Sequence, residues 1–230
     1  MKKDERAAIN MEERTRNWYR LSDGTVRMLL VQEGAPVPTC KKGCAACCSQ
    51  MTLMSLPEGV TLAAHLLAPE QRDLLRDFKR DLSETLEKLK LLGTSHASWP
   101  ERRQAWFEAN QPCLLLSKRG LCRAYDLRPT ACRLYMVASD PALCAVRPVA
   151  EVAQLDLREE QARSFAAMKK VTTAEELPMV AAPLPVAIAW GLRFKTSGYR
   201  AFKEWFEALD ADHVLSPAFW AKAMDALAFQ

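Results

Sequence analysis

Residues 40 to 48 read CKKGCAACC, four cysteines in nine positions, the last two adjacent. Four more follow at Cys113, Cys122, Cys132 and Cys144, and the first 39 and last 86 residues contain none. A thiolate can act as nucleophile, redox group or metal ligand, and the compartment decides which use is open to it. The opening, MKKDERAAINMEERTRNWYR, is charged throughout. It has neither the apolar segment nor the small-residue cleavage site of a secretory signal. The most apolar stretch, LPMVAAPLPVAIAWGL at 177–192, holds three prolines and falls short of the ~20 residues of a membrane span. These features predict a cytoplasmic chain with no membrane partner. In a reducing compartment, clustered cysteines serve metals or redox chemistry more often than disulfides. Cys47 and Cys48 could pair with each other only through a strained ring.

Zinc sites and iron–sulfur clusters both favour thiolate ligands, commonly four to a structural site or cluster. The candidate ligands Cys40, Cys44, Cys47, Cys48, Cys113, Cys122, Cys132 and Cys144 could supply two complete sets, or one cluster and a separate site. Neighbours in sequence rarely turn both side chains toward one ion. Cys47 and Cys48 are therefore expected to point to different metals, or one of them to be a non-ligand. A divalent ion held by four thiolates is anionic. Cations flank these cysteines at Lys41, Lys42, Lys118, Arg119, Arg123, Arg128, Arg133 and Arg147, where charge and hydrogen bonds to sulfur would stabilise such a site. The same residues could form a nucleic-acid patch, but a net charge of +4 lacks the basic excess that phosphate binding uses.

Other chemistries fit less well. Cys40, Cys44 and Cys47 also match C-x-x-x-C-x-x-C, the spacing of radical enzymes that bind S-adenosylmethionine on a cluster. That fold needs repeated strand–helix units after the motif, and the residues that follow read as helices. The C-x-x-C of Cys44 and Cys47 lacks the preceding strand and following helix of a thioredoxin-like site. His65, His96 and His213 share no close spacing with one another or with a cysteine pair. His65 reads as a core or partly buried residue, whereas His96 lies in a loop from which it could approach a metal. No Ser-His-Asp set, phosphate-binding loop or dinucleotide motif is present.

CKKGCAACC resembles the C-x-x-C-C region of a bacterial cysteine-cluster family of the YkgJ/YcgN type, described as a zinc- or iron-chelating domain. PCLLLSKRGLCRAYDLRPTACRLY is similar to that family's second pattern, a cysteine, a glycine turn, then C-x-x-Y-x-x-R-P-x-x-C-R and an aromatic. The matching positions are Cys113, Gly120, Cys122, Tyr125, Arg128, Pro129, Cys132, Arg133 and Tyr135, with Cys144 as the trailing cysteine. The resemblance implies a bound transition metal, either zinc or iron, the latter as an iron–sulfur cluster of the 4Fe-4S kind. Tyr125, Arg128 and Arg133 would then surround the ligands. It supplies no reaction.

Helices must hold these loops in place. Between the cysteine groups, Leu75, Phe78, Leu82, Leu86 and Leu89 recur at steps of three and four and predict one helix face, with a stop at Gly93. The charges between them read as a solvated face. LPEGVTLAAHL and WPERRQAWFEAN predict shorter helices. CLLLSKRGLCRAYDL predicts a small hairpin about Gly120. Pro129 should open a helix with Cys132 in its first turn, where unpaired amides and the helix dipole would favour a thiolate. DLREEQARSFAAMKKV, YRAFKEWFEALD and SPAFWAKAMDALAF predict three C-terminal helices, with Trp190, Trp205, Phe206, Phe219 and Trp220 as core. No internal repeat is visible.

The expected fold is mainly α, a helical protein with a central cysteine-rich metal module containing a short β-hairpin. Residues 1–150 would form the metal-binding domain with a helical insert at about 55–110. Residues 151–230 would pack on it as a C-terminal helical region. Two functions follow. In one the chain binds metal, as structure, store or carrier. In the other it is an iron–sulfur-dependent enzyme that modifies a partner protein or transfers electrons. The partner protein is unspecified.

Overall fold

The computed structural model describes residues 3–95, 98–146 and 152–209. The third C-terminal helix expected from the sequence, with Phe219 and Trp220, lies outside them, as do His96, Arg147 and His213. The fold is mainly α, as the sequence predicts. Its helices in chain order are α1 (Lys3–Leu30), α2 (Leu56–Leu67), α3 (Arg72–Ser95), α4 (Trp99–Glu108), α5 (Thr130–Arg133), α6 (Leu143–Val146), α7 (Arg158–Ala174), α8 (Leu184–Ser197) and α9 (Tyr199–Glu207). Two short strands, β1 (Leu53–Ser55) and β2 (Ala181–Pro183), pair antiparallel.

Two helices were not named from the sequence. The charged N-terminus forms the 28-residue α1. Its buried stripe of Ala7, Ala8, Met11, Thr15, Tyr19, Ser22 and Val26 repeats every three or four residues, small and apolar between long charged neighbours. The proline-rich apolar stretch becomes α8, which is buried along most of its length. Its prolines do not break it, because Pro183 is the cap residue and Pro185 sits in the first turn, where no intrahelical N–H is needed. Further, α3 does not stop at Gly93 but runs on to Ser95. The apolar face expected for α3 is present: Phe78, Leu82, Leu86 and Leu89 are buried, and Leu75 packs at its edge.

β1–α2 and β2–α8 repeat one another. Each is a three-residue strand that leads into a helix opening Leu-Pro, at Leu56-Pro57 and at Leu184-Pro185. The strands pair about Met54 and Ala182, with Leu53 opposite Pro183 and Ser55 opposite Ala181. The flanking bonds match: Leu56 N–H donates to Val180 O at 3.3 Å, and Leu184 N–H to Thr52 O at 2.9 Å. A local pseudo-twofold axis thus relates the two units. Both glycines at the helix crossing are needed for its closeness. A Cβ on Gly59 would lie 2.7 Å from the Ala187 carbonyl carbon, and one on Gly191 would lie 2.8 Å from Val60 N. Two identical residues in each helix opening are too few to stand out as a repeat in the sequence.

Around this pair, α1, α3, α7 and α9 complete the main core. Trp190 meets Phe206 edge-on at 5.2 Å, and Phe202 stacks on Phe206 at 5.2 Å. Trp190 and Phe206 are fully buried, with Trp205 packed partly buried beside them, so these aromatics form core as expected.

Candidate metal centre

The cysteines lie on loops at one end of the helix pair. Cys40 to Cys48 form a chain of turns leading into β1, with Gly43 in the left-handed region at φ 94°. This segment is laid against the second cysteine group by backbone bonds. Cys113 N–H donates to Cys48 O at 2.8 Å and Thr39 N–H to Val137 O at 2.9 Å, and the Gln50 side-chain amide adds a bond to Cys144 O at 3.0 Å. The expected hairpin about Gly120 is present as a bridge between Leu116 and Cys122, with Ser117 N–H on Leu121 O and Arg123 N–H on Leu115 O, each at 2.9 Å. Gly120 supplies the positive φ of its turn.

All eight cysteines are free thiols, and Cys144 is buried. Cys44, Cys47, Cys48, Cys113, Cys122 and Cys132 line one cavity of about 290 Å³. Cys40 and Cys144 lie behind it, in an apolar cluster with Cys47, Val137 and Val152. Electrostatic neighbours sort the thiols further. Cys40 feels Cys47 and Cys44, and Cys144 feels Cys47, Cys40 and Cys44. Cys113 feels Cys132, Cys122 and Cys47, while Cys132 feels Cys47 and Cys122. Cys47 is common to both groups. Among the described residues, no three Cys, His, Asp or Glu side chains are gathered closely enough to hold an ion between them.

Six of the thiols are pushed toward the protonated form. Burial pushes Cys113 and Cys132 up to about 12. Burial also raises Cys40, Cys122 and Cys144, and a hydrogen bond with Cys48 followed by burial raises Cys47. The helix dipole expected to favour a Cys132 thiolate is overruled. Pro129 does cap a helix, but α5 has only four residues, and its few aligned dipoles do not offset the desolvation of a buried charge. The Cys132 thiol instead faces the Thr52 hydroxyl at 3.8 Å.

Of the cations flanking the cysteines, Arg128 opposes the rise at Cys40, Cys47, Cys122 and Cys132. Its guanidinium lies 3.8 Å over the Tyr125 ring, which Lys42 also approaches at 5.3 Å. Arg123 pairs with Asp77 of α3 at 2.8 Å. Arg133 is buried and turned toward α1. It donates to Arg128 O at 2.8 Å, to Asp23 at 2.6 Å and to Asp126 O, and stacks 4.1 Å over Tyr19. Its position relative to sulfur is that of a brace on the loop that carries Cys132. Lys41, Lys118 and Arg119 are exposed.

Glu58 is a residue that reading the sequence missed. This buried α2 carboxylate accepts from Ser55 N–H at 2.9 Å and from the Ser55 hydroxyl at 2.7 Å. Its other oxygen accepts from Tyr19 at 3.2 Å and from Thr130 N–H at 2.7 Å. One side chain therefore ties α1, the start of α2 and the Arg-Pro-Thr loop together. The Ser55-x-x-Glu58 spacing of a capping box was the available signal. Tyr135 is a further neighbour of the thiols, with its hydroxyl 3.5 Å from Cys144 Sγ.

A family model described as "Putative zinc- or iron-chelating domain" matches residues 39–164, more than half of the chain. The chain belongs to the CxxCxxCC family. No curated protein and no solved structure matches it. The CxxCxxCC label places two residues between its first two cysteines, whereas three separate Cys40 from Cys44 here, one of them the left-handed Gly43. As a CxxCxxCC domain it is a cysteine-based metal-binding unit, and the helices outside residues 39–164 supply much of the core on which that unit rests. His65 is half-buried on α2 and does not line the cavity.

Proposed function

We propose that the chain holds an iron–sulfur cluster through Cys47 or Cys48 together with Cys113, Cys122 and Cys132, and that Cys40, Cys44 and Cys144 with the remaining member of the adjacent pair form a second thiolate site. The donor set fits: it is sulfur-rich, half-buried and beside a cavity lined by no carboxylate. The carrying observation is that six thiols surround a cavity of about 290 Å³ while no three described donors converge on a single point. A lone zinc ion needs four sulfurs about 3.8 Å from one another, given its Zn–S bonds of about 2.3 Å. A cluster holds its cysteines further apart, around a core of its own. Arg128 and Tyr125 support the reading as a cation and its platform beside four of the thiols, well placed to offset the charge of a loaded site. Arg133 would act through the loop.

Loading exchanges thiol protons for metal and draws the loops inward, so metal and local folding are coupled. The test is iron, zinc and acid-labile sulfide analysis of protein purified without oxygen, with an absorption spectrum. Iron with sulfide and a broad band in the blue is the expected result. Zinc without sulfide would replace the cluster by structural or metal-handling sites.

A further inference from the structure

The cavity extends beyond the thiols. Its remaining wall comes from elements that carry no cysteine: α4, the β1 residue Leu53, and Leu184 with Pro185 at the start of α8. On α4, Trp99, Arg103 and Trp106 fall at steps of four and three, so one helix face presents an indole, a guanidinium and a second indole to the same space. Trp106 is buried and Arg103 half-buried. This face lines a cavity rather than packing flush against a neighbour. It places a cation inward where an apolar residue would fill the gap.

Arg103 has no hydrogen-bond or ion-pair partner among the described residues. No Asp or Glu lines the cavity, which instead contains Arg103 and Arg128. A half-buried guanidinium without an acceptor has lost part of its hydration with nothing in return. An anionic group supplied from outside would restore it, and a guanidinium takes a carboxylate through two parallel hydrogen bonds. The surrounding indoles, Met51, Leu53 and Leu184 suit a flat apolar body.

We propose that this part of the cavity is a binding site for a small aromatic or flat apolar carboxylate, with Arg103 holding the carboxylate and Trp99 and Trp106 flanking the body. The site lies beside the proposed metal centre but does not depend on which metal that centre holds.

Naphthoate and its uncharged analogue naphthamide serve as probes, titrated calorimetrically into the full-length protein. Naphthoate should bind saturably, and naphthamide at least about tenfold more weakly, the range of one charge-assisted hydrogen-bonded contact. In R103Q the preference should vanish through loss of naphthoate affinity, with naphthamide affinity within about twofold of the native value. R103K, which keeps the charge but not the fork, should retain part of the preference. Equal binding of the two probes to the native protein would overturn the proposal, and needs no variant. Absence of saturable naphthoate binding at millimolar concentration would also overturn it, as would a preference that survives in R103Q. Metal content measured on the same samples keeps the two readings apart: an iron-free protein that prefers naphthoate through Arg103 sinks the cluster and leaves the pocket standing.

Discussion

The crossing of α2 with α8 and the loops bearing the thiols are neighbours, yet their interiors are filled by different means. At the crossing, backbone meets backbone across Gly59, Ala187 and Gly191, and Leu62, Ile188 and Trp190 are fully buried around it. Each such side chain stabilises the fold by about 1.5–3 kcal/mol. The thiol loops have a small apolar cluster behind them, built on Val137, Cys144 and Val152, reach the main core through Leu115, Ala124 and Leu127, and enclose a cavity. Their backbone is fixed by scattered hydrogen bonds, by Arg133 and by Glu58. One region is specified by close packing alone, the other by apolar anchors and polar braces around a cavity.

Substitutions can break or sharpen this contrast. Gly59→Ala drives a methyl into the Ala187 carbonyl and should lower stability by about 3 kcal/mol. A denaturant midpoint close to that of the native protein would show that the crossing can yield and is not the rigid half. Arg133→Ala removes three hydrogen bonds and the stack on Tyr19 and should cost about 2 kcal/mol. Its metal content should fall less than its melting temperature suggests if the residue acts only as a brace.

Cys47→Ser touches both thiol groups and should lower bound metal more than Cys40→Ser does, while the far-ultraviolet helical signal stays at the native level. Collapse of that signal would mean the helices lean on the metal. A pH series on metal-free protein probes the same boundary. Cys113 and Cys132 are raised in the fold to about 12 from an ordinary 9.0. The stability they contribute is therefore fully present below pH about 9 and lost as the pH climbs toward 12. Unfolding midpoints should fall across that interval in the metal-free protein and much less in Cys113→Ala/Cys132→Ala. The smallest effect is expected at Gly24, inside α1 with open space around it. Gly24→Ala should add about 0.5–1 kcal/mol.

The contrast also explains what could be read before the structure. The α3 face, the hairpin about Gly120 and the helix opened by Pro129 follow from local spacing and turn chemistry, and they are present. The α1 stripe was obscured because Ala, Ser and Thr separate Met11, Tyr19 and Val26 among charges, leaving too few large apolar residues to register as a hydrophobic face. α8 was hidden by its prolines, which a helix tolerates at its start. Cysteine type and spacing pointed to the loops on which six of the thiols line one cavity. Their division into two groups about Cys47 depends on contacts between residues scores of positions apart, as does the braced position of Arg133, and no local pattern encodes either. Glu58 followed a capping signature, but its reach to Tyr19 and Thr130 is tertiary.

Thr52 stands where the two regions join. Its carbonyl accepts the Leu184 N–H that keeps the strand pair in register, and its hydroxyl receives the Cys132 thiol. When Cys132 gives up its proton, that hydroxyl must turn from acceptor to donor, and the reversal happens one residue before β1. The protonation of the Cys132 thiol is thereby tied to the orientation of a single hydroxyl on the seam of the pseudo-twofold pair. The Leu184 amide is bonded to the carbonyl of the same threonine, so its hydrogen exchange is where an effect of Cys132 deprotonation on the strand pair would be sought.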